Sequence, residues 1–173
     1  HDVIRETAQQ CGITKFHAIV AGGSTRQESV MCGLRALSKG TTMIAVHDGA
    51  RPLVKPEHIA QVIRDASVFG GATLGVPVKD TIKVVNDHLI VDTPYRPHLF
   101  ITQTPQVFKR QLYFEAVTFA EEHALDFTDD CQLIEAINCK VYMTEGDYTN
   151  IKITTPEDIA IAEILLARQK EEA

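Results

Sequence analysis

An unbroken apolar run at residues 43–46 and a strand-like stretch at residues 72–78 enclose a segment in which Ile59, Val62, Ile63 and Ala66 recur at helical spacing. The unbroken run fits a buried strand, and the spacing that follows it fits an amphipathic helix opened by Pro56 at its first position. A strand, a helix and a second strand of these lengths predict parallel strands joined by a right-handed crossover. That unit restricts the chain to the α/β class: a mostly parallel, Rossmann-like sheet flanked by helices.

Polarity changes abruptly after the first run, in Val46-His47-Asp48-Gly49-Ala50-Arg51-Pro52. Asp48 and Arg51 fall in the first turn beyond the strand, where open α/β sheets present ligand-binding groups. Gly49 lets backbone approach a ligand closely, and Pro52 stops local helix. The plain alternative is an Asp–Arg ion pair that braces the loop.

The rest of the chain repeats the α/β rhythm with one interruption. Residues 2–11 place Val3, Ile4, Ala8 and Cys11 on one helical face, with Gly12 as the stop, and residues 16–20 read as a short strand. Gly22-Gly23 then precedes Thr25-x-x-Glu28, a capping-box spacing, and Val30, Leu34 and Leu37 continue on one face. A helix start after a glycine pair offers backbone N–H groups to an anion, although a turn and cap explain it equally. The interruption begins at Pro77. Residues 81–85 and 89–93 read as strands with turn chemistry at Asn86-Asp87-His88, so a projecting β-hairpin is expected, leaning on something outside itself. Residues 100–106 return to the sheet, and Leu112, Ala116, Phe119 and Ala120 mark a helix ending near His123. Asp129 and Asp130 open another short helix carrying Leu133, Ile134 and Ile137. Such a pair can ligate a metal, but acids in a first turn are read as capping residues, and no protein metal ligand is assigned. Residues 141–143 and 151–153 are the last expected strands. Thr155-Pro156-Glu157-Asp158 opens a final helix expected to bury Ile159, Ala162, Ile164, Leu165 and Leu166, with a polar, frayed tail from Gln169.

At 173 residues, with 45% hydrophobic and 23% charged, the chain suffices for one domain spanning residues 1–173. No apolar run is long enough for a transmembrane helix, so no membrane partner is expected. A net charge of -6 argues against sequence-independent nucleic-acid binding, which needs a basic face. Cys11, Cys32, Cys131 and Cys139 form neither a C-x-x-C pair nor a small disulfide framework. They are read as reduced, mostly buried thiols of a cytoplasmic protein.

Four further stretches join the heptad: Gly22-Gly23-Ser24-Thr25-Arg26-Gln27-Glu28-Ser29-Val30, Pro77-Val78-Lys79-Asp80-Thr81-Ile82-Lys83, Thr104-Pro105-Gln106 and Asn150-Ile151-Lys152-Ile153-Thr154. In this order and spacing, from Ile13 to Arg168, the chain resembles the 2-C-methyl-D-erythritol 4-phosphate cytidylyltransferases. The resemblance implies transfer of a cytidylyl group from CTP to methylerythritol phosphate with release of pyrophosphate, in non-mevalonate isoprenoid synthesis. It implies Lys152 as the catalytic cation at the α-phosphate, and Asp48, Arg51, Thr81, Arg96 and Thr104 at the acceptor substrate. Gly22, Gly23, Ser29 and Gly49 would line the nucleotide, and Mg2+ would be held mainly by the CTP phosphates. Residues 79–98 would be the arm of a homodimer, carrying Thr81 and Arg96 into the neighbouring site.

The family also opens with a strand and a Gly-rich, basic phosphate-binding loop that this sequence does not contain. The chain is therefore expected to lack that N-terminal segment and to be inactive alone. A ribitol 5-phosphate cytidylyltransferase would share the same motifs. A noncatalytic nucleotide-binding module is the alternative from another class. Dinucleotide-dependent redox chemistry is disfavoured, since no G-x-G-x-x-G occurs.

Overall fold

A computed structural model describes residues 2–172 and divides them into two compact units. The smaller comprises the chain up to Thr41 together with Asp126–Thr128, and the larger comprises Thr42–Leu125 and Asp129 onward.

The smaller unit contains α1 (Asp2–Gln10) and α2 (Arg26–Arg35). Gly12, at φ 62, ends α1 in the left-handed conformation that favours glycine. Of the apolar face expected on this helix only Ala8 is buried, whereas Val3 and Ile4 remain exposed. Thr25 caps α2 by accepting from Glu28 N at 3.1 Å, and Leu34 is the buried residue of that helix. Residues 16–20, expected as a strand, form none: no neighbouring segment pairs with them among the described residues, and Phe16 and Val20 stay exposed.

The larger unit is built on a four-stranded sheet of β1 (Met43–Val46), β2 (Gly71–Pro77), β5 (Phe100–Lys109) and β6 (Tyr142–Glu145), in the order β1-β5-β2-β6. β5 pairs antiparallel with both β1 and β2, while β6 pairs parallel with β2. Three strands thus share one direction. The expected crossover unit is present, since α3 (Pro56–Phe69) joins β1 to β2, but the two strands do not pair directly because β5 runs between them. The returning strand is longer than its apolar signature suggested, and its buried stretch from Gln103 to Phe108 takes the central position.

Alternation along β5 explains the layers. Val107 joins Val62 and Ala66 of α3 and Ala72 and Leu74 of β2 in one fully buried cluster. Its neighbour Phe108 points to the opposite face and meets Tyr113 of α4 (Arg110–Glu122), ring centroids 5.2 Å apart. Val62, Leu74 and Val107 each contribute about 1.5–3 kcal/mol by leaving water. Ile63, expected on the core face of α3, is exposed, because that face is narrowed to Val62 and Ala66. α5 (Asp130–Ala136) starts as read: Asp129 caps it by accepting from Gln132 N at 3.0 Å.

The arm is a hairpin of β3 (Val84–Asn86) and β4 (Leu89–Asp92). Asp87 and His88, at φ 45 and 65, form its two-residue turn, so Asn86 belongs to the strand. Val84, Val85, Leu89, Ile90 and Val91 are all exposed, on both faces of the ribbon. A short 3-10 turn at Arg96–His98 leads back to the sheet.

Three further expectations are corrected. Residues 151–153 form no strand: the segment is tied to the loop after β1 by Ile153 N donating to Ala50 O at 2.8 Å, and one such bond makes no ladder. α6 (Pro156–Glu172) begins where expected, but of its apolar residues only Ala162 is buried, while Ile159, Ile164 and Leu166 are exposed, because no layer covers them among the described residues. The helix also continues past Gln169, which donates to Leu53 O at 3.2 Å instead of fraying. Of the four cysteines, all free, only Cys131 is buried.

Candidate active site

β1, expected as a buried strand, lies at the edge of the sheet with only Ile44 buried, and the chain becomes polar where it leaves the strand, at His47 and Asp48. Asp48 lies at the centre of a charged cluster. Its Oδ2 is 3.2 Å from Arg51 Nε and 3.2 Å from Lys152 Nζ. Burial alone raises the Asp48 pKa, but the hydrogen bonds and charges of Lys152 and Arg51 outweigh it and hold the carboxyl below its ordinary range. Arg51 is the more buried cation, with 12% of its side chain exposed against 48% for Lys152. Its Nη1 also donates to Asn150 O at 2.7 Å.

Two polar residues join the sheet to this cluster. Thr104 Oγ1, on β5, accepts from Asp48 N at 3.0 Å and lies 2.9 Å from His47 Nδ1. Asn150 is 1% exposed, and its Nδ2 donates to Thr104 O at 3.0 Å and to Gln103 Oε1 at 3.3 Å. Asn150 therefore fixes three things at once: the β5 backbone at Thr104, the guanidinium of Arg51, and the start of the segment that carries Lys152.

A second ion pair flanks the same segment. Lys55 Nζ lies 2.9 Å from Asp147 Oδ2, and Asp147 Oδ1 accepts from Thr149 N at 2.8 Å. Against the burial that would raise it, the Thr149 N–H and Lys55 lower the Asp147 pKa to about 2. Gly146 just before it is tightly packed: a Cβ there would lie 2.4 Å from Gln103 Oε1, displacing that amide, and 3.2 Å from the Gly75 backbone.

The remaining expected site residues fall into two other groups. Gly22, Gly23 and Ser29 meet at the start of α2, where Gly23 N donates to Ser29 Oγ at 3.1 Å and Ser29 Oγ donates to Thr25 O at 2.9 Å. The glycine pair is explained by packing: a Cβ on Gly23 would lie 2.2 Å from Glu28 Cβ, and one on Gly22 2.8 Å from Ser29 Oγ. The hydroxyl and N–H of Ser24 both donate to Glu28, which lowers its pKa. Thr81 and Arg96 sit on the arm, both exposed, with Arg96 Nη1 donating to Lys79 O at 2.9 Å. Gly49 has open space where a Cβ would stand.

Asp129 and Asp130 are structural. Gln106 bridges them, donating to Asp129 Oδ2 at 3.2 Å and accepting from Asp130 N at 2.9 Å, while the Tyr113 hydroxyl donates to buried Asp130. Among the described residues no three His, Cys, Asp or Glu side chains converge on one point. Sequence reasoning quoted His47 and Asn150 within its motifs without giving either a role. The available signal was their polarity: each is a hydrogen-bonding side chain beside an apolar strand or segment.

The family profile described as 2-C-methyl-D-erythritol 4-phosphate cytidylyltransferase matches residues 3–168. A protein of that name from Caldanaerobacter subterraneus subsp. tengcongensis is 46% identical over 169 residues, covering 94% of this chain and 74% of the relative. Another from Desulforamulus reducens is 47% identical over 156 residues, covering 90% and 67%. The solved structure of 4-diphosphocytidyl-2C-methyl-D-erythritol synthase from Anaerococcus prevotii superimposes with a TM-score of 0.86 at 32% identity, covering 96% of this chain and 74% of the other. No helix is long and apolar enough to cross a membrane among the described residues. From its motifs, its sheet and these matches, the chain belongs to the 2-C-methyl-D-erythritol 4-phosphate cytidylyltransferase family.

Proposed function

We propose that the protein transfers the cytidylyl group of CTP to 2-C-methyl-D-erythritol 4-phosphate, in the non-mevalonate route to isoprenoid precursors. The observation that carries this reading is the Asp48 cluster, which brings two cations and a buried Thr hydroxyl together beside the loop that follows β1, in a chain of this family. An oxygen of the acceptor phosphate attacks the α-phosphorus, and the bond to the bridging oxygen of the departing pyrophosphate breaks. The attacking oxygen is already ionised near neutral pH, so no general base is needed. The difficulty is repulsion between anions, which is met by in-line positioning and fixed positive charge.

Lys152 suits the α-phosphate because its ammonium is half exposed and paired with Asp48. Arg51, more buried and held at two points, suits orientation of the acceptor, together with Asp48 and Thr104. Gly22, Gly23, Ser29 and Gly49 are assigned to the nucleotide. The residues of the cluster do not form a metal cage, because Asp48, its one carboxylate, is already committed to two cations. Mg2+ belongs instead with the triphosphate, where it neutralises phosphate charge. Residues 79–98 form the arm of a homodimer, and Thr81 and Arg96 of the partner subunit complete each site. The hairpin's apolar side chains, exposed on both faces, support this. We place the enzyme in the cytoplasm, on its use of CTP and its four free thiols.

Pyrophosphate release by the intact protein, with CTP, Mg2+ and either methylerythritol phosphate or ribitol 5-phosphate, tests the reading. Turnover with the first acceptor in clear excess is expected. Preference for ribitol 5-phosphate would transfer the site to the other polyol, and CTP binding without turnover on either would reduce it to a nucleotide-binding module.

A further inference from the structure

We propose that His47 is a positioning residue that makes the Thr104 hydroxyl a hydrogen-bond acceptor toward a hydroxyl of the polyol phosphate. The inference rests on the acceptor binding at the Asp48 cluster, as in the function proposed above. A threonine hydroxyl has one hydrogen to give and two lone pairs to receive. The Asp48 N–H takes one lone pair, at 3.0 Å. The second contact of that oxygen is His47 Nδ1, at 2.9 Å. The imidazole tautomer decides who donates there. His47 Nε2 lies 3.1 Å from Arg51 O, a carbonyl that can only accept, so Nε2 carries the ring hydrogen. In the neutral ring Nδ1 is then a bare acceptor and receives the Thr104 hydrogen. One lone pair of Thr104 Oγ1 is left, able to accept from a substrate hydroxyl and unable to donate to a phosphate oxygen.

The same imidazole ties both ends of the Asp48–Arg51 turn, the first through Thr104 and the second through the Arg51 carbonyl. The charged residues of that turn are Asp48 and Arg51, whose side chains pair with each other while Lys152 pairs with Asp48. The remaining contact element, β5, contributes uncharged Thr104. Phosphate recognition is thus left to the cations and polyol recognition to Thr104.

Two measurements on the intact protein decide this. Nitrogen-15 spectra of the neutral His47 ring, assigned by its loss in His47→Asn, should show the Nε2–H tautomer with Nδ1 shifted as an acceptor. That shift should relax in Thr104→Val, and an Nδ1–H tautomer would overturn the proposal.

In kinetics, His47→Ala should raise KM for the acceptor phosphate about fivefold, the worth of one partly exposed hydrogen bond, with KM for CTP unchanged. His47→Asn, whose amide oxygen stands where Nδ1 stood, should restore it, whereas His47→Gln, which reaches only the Nε2 position, should not. Adding His47→Ala to Thr104→Val should cost clearly less than His47→Ala costs alone, since only the contact with the Arg51 carbonyl is left to lose. Additive losses, or an Asn variant no better than Ala, would sink the idea. A wild type without transfer activity overturns the function proposed above instead, while the ring spectrum still decides the tautomer on which this inference stands.

Discussion

Asp48 does at the residue scale what neither of its cations does alone: it fixes two positive charges beside each other that would otherwise repel. Removing Lys152 leaves Arg51 in place, so Lys152→Ala should lower kcat by about a hundredfold while changing stability by less than about 0.5 kcal/mol, the usual contrast between an aligned transition-state cation and a half-exposed ion pair. Parallel rate and urea-melt measurements check it, and near wild-type turnover would remove Lys152 from the mechanism. Asp147 gives a purely structural counterpart. Its folded pKa, about 2, lies below the ordinary carboxylate value, so its contribution to stability is present above about pH 4 and lost as pH falls toward the folded value. Asp147→Asn should therefore be less stable than wild type by roughly 1 kcal/mol near neutrality, the scale of a partly exposed pair with one charged hydrogen bond. That difference should close on acidification. Urea midpoints on both sides of the transition test it, and a gap that persisted in acid would assign the effect to packing.

At the scale of elements, the segment between β6 and α6 shows how a site can be rigid without regular structure. Asn150 replaces the missing ladder with side-chain bonds to Thr104 O and Gln103, and its own carbonyl receives Arg51. Asn150→Ala should cost about 1–3 kcal/mol through the buried groups it leaves unpaired, and activity should fall further than stability because Lys152 loses its anchor. A variant with unchanged melting and turnover would make the segment's pose independent of Asn150. This segment also marks the limit of what the sequence disclosed. The strand, helix and strand from Met43 to Pro77 were legible because apolar period and length both point one way, and the cap of α5 because Asp129 has one chemical use there. The intervening position of β5 was not, since the order of strands depends on pairing between distant segments and leaves no local mark. Ile151 and Ile153 look like strand residues by composition, yet composition cannot supply a partner strand. The charged cluster was legible residue by residue, from Asp48, Arg51, Thr104 and Lys152, but its geometry depends on His47 and Asn150, whose partners lie as far as 57 and 99 residues away.

At the scale of the whole molecule, the arm has too little of its own to bury. With apolar residues exposed on both faces, β3 and β4 gain stability only against another surface, and a second copy of the chain offers a symmetric one. If the arm also delivers Thr81 and Arg96 of the partner subunit, every active site is assembled from two chains, and two different inactive variants must complement each other. In a heterodimer of intact Lys152→Ala and Arg96→Ala chains, one site carries both lesions and the other carries neither. Random exchange of equal amounts makes half the dimers mixed, each with one intact site of two, so activity should return to about a quarter of wild type by the statistics of a twofold dimer. The experiment needs each variant nearly inactive alone and the exchange verified by native mass spectrometry. Verified heterodimers that stayed inactive would place Arg96 in the site of its own subunit and leave the arm a dimerisation device only. A chain lacking the hairpin that still sedimented as a dimer would remove even that role, and the exposed apolar ribbon would then need a different partner.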